Sequence, residues 1–316
     1  MRRSTGFTLI ELIVVLGIIA VVLSLMITAF AGANDAARRI NCVNNLRQLH
    51  LGMQSYHACH GVYPPGVVGH ERPVAESPLG HRLGWTSMIL PYAEQQAIYS
   101  TLNFDVGAED PSNATARSCQ MNTYACPSSS PGPGFSPGLW SMMGGPARPR
   151  DAGLVNYVGC HDPREKAIDL DARGVFFLNS RIRAAEVFDG LSQTIFLGEV
   201  ARASSAGWLA GGRATLRNTG SPINRLDSTA LGEAARSESW RTSPMTPEAL
   251  ESLIGSGDVV PPPGYVGGFS SRHRGDGSVF AFGDGSVRFL RSSIEPAVFH
   301  SLGDRDDGED DDDDSH

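Results

Sequence analysis

Hydrophobic positions follow two regimes along this chain. The first is continuous: "GFTLIELIVVLGIIAVVLSLMITAF", residues 6–30, is apolar but for Glu11 and a few small residues, and positions 12–34 carry no charge, a run of 23. About 20 apolar residues suffice to cross the hydrocarbon core, so the run predicts a membrane helix over 7–33 or a signal peptide. The basic leader "MRRSTG" and the Ala-Gly-Ala at 31–33 speak for a signal peptide. Its length speaks against one, because such an apolar region usually holds about 7–15 residues, and so does Glu11 inside it. A carboxylate in hydrocarbon costs about 2.5–3.5 kcal/mol even on the gentler insertion scale, so it calls for a cation. A cut between Gly6 and Phe7 would supply one as the new α-amino group of Phe7, about one helical turn from Glu11 in the same chain or facing it from a neighbour.

The second regime is periodic. Ile40, Val43, Leu46, Leu49, Met53 and Tyr56 recur every three or four positions, with Arg38, Arg39, Asn44, Asn45, Arg47 and Gln48 on other faces. This predicts that the helix continues from Phe7 to about Tyr56, some ~75 Å at 1.5 Å per residue, with its upper half packed on a globular head. "HGVYPPG", 60–66, ends it. Beyond it the elements shorten. A helix is predicted from Pro91, with Ala93, Ile98 and Leu102 inward, then a loop over 121–138 and strands over 154–160, 173–179 and 193–200. Residues 203–262 are polar and poorly patterned and read as a long excursion. In "SVFAFGDGSVRFL", 278–290, Asp284-Gly285 predicts a type I′ hairpin turn, which sets Phe282 opposite Val287 and Phe280 opposite Phe289, with the four on one face.

Composition sharpens the picture. With 316 residues, 41% of them hydrophobic, the chain can build a real core, and 36 Gly with 20 Pro favour loops and strands beyond the first helix. The net charge of −8 arises from the last stretch, where nine acids fall among 304–314, leaving a nearly neutral body. No basic face is present to meet phosphates, so no nucleic-acid partner is expected.

The N-terminal pattern resembles the class III signal of type IV pilins and pseudopilins: Gly6 matches the residue before the cut, Phe7 the residue that is then N-methylated, and Glu11 the assembly glutamate. The blocks "CVNNLRQLHLGMQSYHACHGVYPPG", "NYVG", "GVFF", "DGLSQTIFLGE" and "SSRHRGDGSVFAFGDGSVRFL" extend the resemblance to the large planctomycete-type family of pilin-like proteins with a DUF1559-type domain. The resemblance implies an α+β pilin-like fold, a long N-terminal helix laid on an antiparallel sheet. It implies a leader at 1–6, a helix at 7–57 and a β-rich head at 58–303. The acidic stretch at 304–316 departs from the family pattern and, as a run of like charges, reads as a disordered, solvated tail. The partners implied by the resemblance are a prepilin peptidase, other pilin-like subunits of a type IV pilus or type II secretion pseudopilus, and the membrane. The protein would cross the inner membrane once, N-terminus cytoplasmic and head periplasmic or extracellular. A different class of reading is a membrane-anchored binding or surface-display domain that never polymerises.

Other candidates carry less. His50, His57, Cys59 and His60 cluster near the helix end, but H-x-C-H is not a common zinc spacing, and helix-end histidines are the simpler reading. Five cysteines (42, 59, 119, 126, 160) leave at least one thiol over, and Cys126 can pair with Cys119 or with Cys42. The two copies of Gly-Asp-Gly-Ser-Val at 275–279 and 283–287, and the Arg-Gly-Asp at 274–276, read as turn chemistry. No nucleophile elbow or other spaced catalytic motif is present, so no enzyme is expected and no catalytic, cofactor or metal residue is assigned. Calcium at the acidic tail is a minority reading with no ligands to name.

Overall fold

A computed structural model describes residues 9–74, 81–129, 152–201, 207–225 and 265–308, with the side chains of 25–33 outside the description. Gly6, Phe7 and most of the 203–262 stretch therefore lie outside the described residues. Helix α1, Leu9–His60, is unbroken over 52 residues. It stops because Gly61 adopts φ +74° and its N–H donates to the His57 carbonyl at 2.8 Å, a left-handed glycine cap that a side chain would strain. The end falls a few residues later than the periodicity predicts.

The upper half of α1 buries Cys42, Leu46, Leu49 and Met53 completely. Their steps of four, three and four keep them on one face. Ile40, counted in the predicted stripe, is instead 60% exposed, and His50 joins the buried side.

The head is an α+β unit around a five-stranded mixed sheet. Its strands are β3 (Tyr157–Cys160), β4 (Ile195–Glu199), β5 (Leu216–Arg217), β6 (Gly277–Phe282) and β7 (Val287–Arg291), in the order β5-β3-β4-β6-β7. All neighbours are antiparallel except β3 and β5. A separate two-stranded ladder joins β1 (Val67–Val68) to β2 (Leu83–Gly84). Short helices α2 (Trp85–Met88), α3 (Gln96–Tyr99), α4 (Ala114–Ser118) and α5 (Pro296–Ser301), with several 3₁₀ turns, lie between and beyond the strands. Strands β3, β4 and β6 are buried along their whole length, because the sheet is covered on both faces. One face meets α1 through Tyr157, Leu197, Val279 and Ala281. The other holds Phe269, Phe280, Phe282 and, from α5, Phe299. The close fit there uses a glycine: a Cβ on Gly198 would lie 2.5 Å from the Phe269 ring.

Several expectations are corrected. The hairpin of β6 and β7 pairs Phe280 with Arg288, Val279 with Phe289 and Ala281 with Val287, one position away from the predicted register. The loop is three residues long: the Gly285 N–H donates to the Phe282 carbonyl at 2.9 Å and Gly285 alone in the loop takes positive φ, +85°. A turn followed by a left-handed glycine replaces the two-residue turn. Since a one-residue slip reverses every face, Phe280 and Phe282 point away from α1 while Val287 and Phe289 pack toward it. Residues 173–179 form no strand, since their hydrogen bonds go to two different segments: the Phe176 N–H reaches the Cys160 carbonyl at 3.1 Å, whereas Leu178 bridges Val67. The helix from Pro91 splits into a 3₁₀ turn, Leu90–Tyr92, and α3, parted by Glu94 at φ +59°. Within the expected excursion, Trp208, Leu209, Leu216 and Ile223 are fully buried. The acidic tail is not solvated from residue 304 onward. Asp304 pairs with Arg173 at 2.7 Å, and the Arg305 guanidinium donates to the Ala172 and Gly174 carbonyls at 2.6 and 2.7 Å. Residues 309–316 lie outside the description.

Candidate functional site

Among the described residues two regions carry chemistry, the N-terminal end of α1 and the seam where α1 meets the head. At the N-terminal end, Glu11 sits in the first turn. Every large apolar side chain described from Leu9 to Leu23 stands exposed, from 43% at Val15 to 76% at Leu9. An apolar surface of this extent marks contact with lipid or with other protein, because water penalises it at about 25 cal/mol per Å². Among the described residues no helix is long and apolar enough to cross a membrane. The described side chains of this half stop at Ser24, ten positions short of Asn34 where the uncharged run closes.

The second region is the seam where α1 meets the head. The 3₁₀ turn Asn122–Tyr124 brings the following residues against α1, and the Asn45 amide clasps them by donating to the Asn122 and Ala125 carbonyls, both at 3.2 Å. Asn45 also reaches the Tyr157 hydroxyl at 3.2 Å. Burial, and then the nearby Glu199 carboxylate, push the Tyr157 phenol up, so it stays neutral. The clasp sets Cys126 against Cys42, and the two form a disulfide with Cα atoms 5.6 Å apart and a sequence separation of 84. Cys119, the other partner considered for Cys126, is a thiol that donates to the Thr115 carbonyl at 3.4 Å. Cys59 and Cys160 are also free, one exposed and one buried.

Beside the disulfide lie two polar residues that the sequence did not single out. Glu199 ends β4 and His273 precedes β6, and both side chains are almost wholly shielded from solvent. His273 Nε2 is 3.2 Å from Glu199 Oε1 and 4.0 Å from Cys126 Sγ. The Val279 N–H donates to Glu199 Oε2 at 3.2 Å, and His273 Nδ1 is 3.4 Å from Ser128 Oγ. The ligand atoms of Cys42, Cys126, Glu199 and His273 all lie within 4.8 Å of one another. The only trace of this in the sequence is an acid closing an otherwise apolar strand, "IFLGE", and a single histidine in a turn-rich segment.

The histidines near the helix end are dispersed by the fold. His57 stacks on Tyr63 with ring centroids 4.6 Å apart, His60 meets the Tyr92 hydroxyl at 3.0 Å, and His50 lies in the core near Phe196. The repeated Gly-Asp-Gly segments form turns, one of them holding Asp276 at φ +45° by bonds from Ser292 and Asn224.

A family model described as a protein of unknown function (DUF1559) matches residues 32–297, most of the chain. The chain belongs to the DUF1559 family. This DUF1559 protein also matches the prokaryotic N-terminal methylation motif over residues 1–27. The division follows the two regions: Gly6, Phe7 and Glu11 fall in the methylation motif, and Cys42, Cys126, Glu199 and His273 in the DUF1559 part. No curated protein and no solved structure matches the chain.

Proposed function

We propose that this DUF1559 protein is a pilin-like structural subunit, cut after Gly6 by a prepilin peptidase, methylated on Phe7 and packed through α1 into a type IV pilus-like or pseudopilus-like filament. The observation that carries the reading is the continuity of the methylation motif with a 52-residue helix whose apolar side chains stand exposed over Leu9–Leu23 and whose second half is docked on the head. Positions 7–33 of such a helix reach ~40 Å, enough for a hydrocarbon core of about 30 Å. Before assembly this segment sits in the inner membrane with the head on the outer side; in the filament the same apolar surface is covered by neighbouring helices. Glu11 and the Phe7 amine set the axial register, since a carboxylate in an apolar bundle is stable only beside a cation.

Mass spectrometry of the mature protein tests the first step: a start at methylated Phe7 is expected, and an intact Met1 or a start at Asn34 defeats it. Glu11→Ala is expected to enter the membrane normally and to be lost from the sheared-filament fraction. Normal filaments from that variant contradict the register role, and wild-type protein that stays with membranes on shearing favours the anchored, non-polymerising reading.

A further inference from the structure

We propose that Cys42, Cys126, His273 and Glu199 form a zinc site in the dithiol form of this chain, a metal cross-link occupying the place of the disulfide. A tetrahedral zinc with bonds of about 2.3 Å to sulfur and about 2.0 Å to nitrogen or oxygen spaces its ligand atoms about 3.3–3.8 Å apart. The shielded atoms here bracket that spacing, with His273 Nε2 3.2 Å from Glu199 Oε1 and 4.0 Å from Cys126 Sγ, and all four ligand atoms lie within 4.8 Å. Two thiolates, an imidazole and a carboxylate make a set that favours zinc over calcium or magnesium, which prefer oxygen.

The surroundings resemble those of a metal site as well. Each non-sulfur ligand is held by its other polar atom, Glu199 Oε2 by the Val279 N–H at 3.2 Å and His273 Nδ1 near Ser128 Oγ at 3.4 Å, which leaves Oε1 and Nε2 on the side of the cluster. In the disulfide form Glu199 and His273 satisfy each other at 3.2 Å, and in the dithiol form the same buried pair stands beside two thiols as ready nitrogen and oxygen ligands. The four ligands come from four separate segments: α1, the loop after the 3₁₀ turn, the end of β4 and the approach to β6. A metal there ties α1 to the head just as the disulfide does. Binding displaces the two thiol protons and leaves the centre with one net negative charge. The consequence is that α1 stays docked under reducing conditions, before the sulfur–sulfur bond exists.

The test uses the full chain in detergent, reduced with a phosphine, stripped with EDTA and kept free of oxygen. Addition of Co²⁺ is expected to give a thiolate-to-cobalt charge-transfer band that Zn²⁺ abolishes, with about one zinc retained per chain; the oxidised chain gives no such band. Cys126→Ser removes the band. His273→Ala and Glu199→Gln each weaken zinc binding, in competition with a chromophoric chelator, by at least about 10-fold. The oxidised forms of these two variants report on folding through their unfolding transitions, and whichever remains folded supplies the affinity comparison. No band from the reduced wild type, a band that survives Cys126→Ser, or undiminished affinity in both folded variants overturns the proposal.

Discussion

Breaking the Cys42–Cys126 bond is the perturbation whose magnitude follows most directly from the fold. The bond joins positions 84 apart, and in the chain-entropy description closing a loop of that length removes about 15 cal/mol/K from the unfolded ensemble, or about 4–5 kcal/mol at 25 °C. Domains are commonly stable by only about 5–15 kcal/mol, so a loss of this size is large. The apolar stripe of Leu46, Leu49 and Met53 is buried in both redox forms and does not change with the bond, and the polar contacts at the seam are smaller than the bond itself. The Asn45 clasp and the bond from Gln54 to the Gly283 carbonyl at 3.0 Å are ordinary hydrogen bonds, each worth about 1 kcal/mol net. The assay is guanidinium unfolding followed by the fluorescence of Trp85 and Trp208, both fully buried, with the protein oxidised or reduced in the presence of EDTA. The reduced protein should unfold at lower denaturant, with an extrapolated stability lower by about 4–5 kcal/mol. A Cys42→Ser/Cys126→Ser variant should match the reduced protein and ignore the reductant. A difference below about 1 kcal/mol between oxidised and reduced wild type would refute the reasoning, as would an equal response in the variant.

Three further outcomes follow from the packing and the titrating groups. Gly198→Ala sets a methyl group into the Phe269 and Phe280 rings, at 2.5 and 2.7 Å, and is expected to cost about 1–3 kcal/mol in the same unfolding assay; a neutral result would mean that this face of the sheet is loosely packed. Burial lowers the buried His50 from 6.5 to about 4, so the unfolded chain takes up the proton first: stability is fully present above about pH 6.5 and falls by about 3 kcal/mol as pH drops toward 4. Unfolding measured from pH 7 to 4.5 should show this fall together with a further one from the buried His161, which is lowered to about 3 by burial and by Arg217 and Lys166, and His50→Gln should remove the His50 share alone. Asp189 shifts the other way, raised to about 6 by burial and by Asp307 and Asp304, so the native state binds its proton more tightly and its contribution declines as pH rises from about 4 through 6. Hydrogen exchange at the Asp307 amide, which donates to Asp189 at 3.0 and 3.1 Å, should report weaker docking of residues 304–308 above pH 6, and Asp189→Asn should abolish that dependence.

What was legible in the sequence was whatever depends on neighbours along the chain. The continuous apolar run, the stripe through Leu46, Leu49 and Met53, the stop at Gly61 and the strands around Tyr157 and Ile195 all rest on local periodicity and backbone chemistry. Even the hairpin of β6 and β7 was visible as a hairpin. Its register was not, because two- and three-residue loops share the Asp-Gly signal, and the choice between them depends on which face of the strands must bury Phe280 and Phe282 against Phe299. The same dependence on distant partners hid the burial of residues 208–223, whose polar, small composition looks solvated until Trp208 and Leu216 meet the rest of the core.

The candidate site divides along the same line. Gly6, Phe7 and Glu11 are readable because the methylation motif is a pattern of neighbouring residues, complete within one linear segment. Pairing of Cys126 with Cys42 rather than Cys119, and the convergence of Glu199 and His273 on that pair, required α1, β4 and two loops to be assembled. Sequence by itself determined an apolar α1 whose upper half carries a packing stripe, since helical period and hydrophobicity are properties of a single segment. Only the tertiary structure decided which sulfur and which imidazole lie beside which carboxylate, because contacts across 84 positions in the disulfide and 74 between Glu199 and His273 are set by how sheet and helix pack, and no local spacing records that.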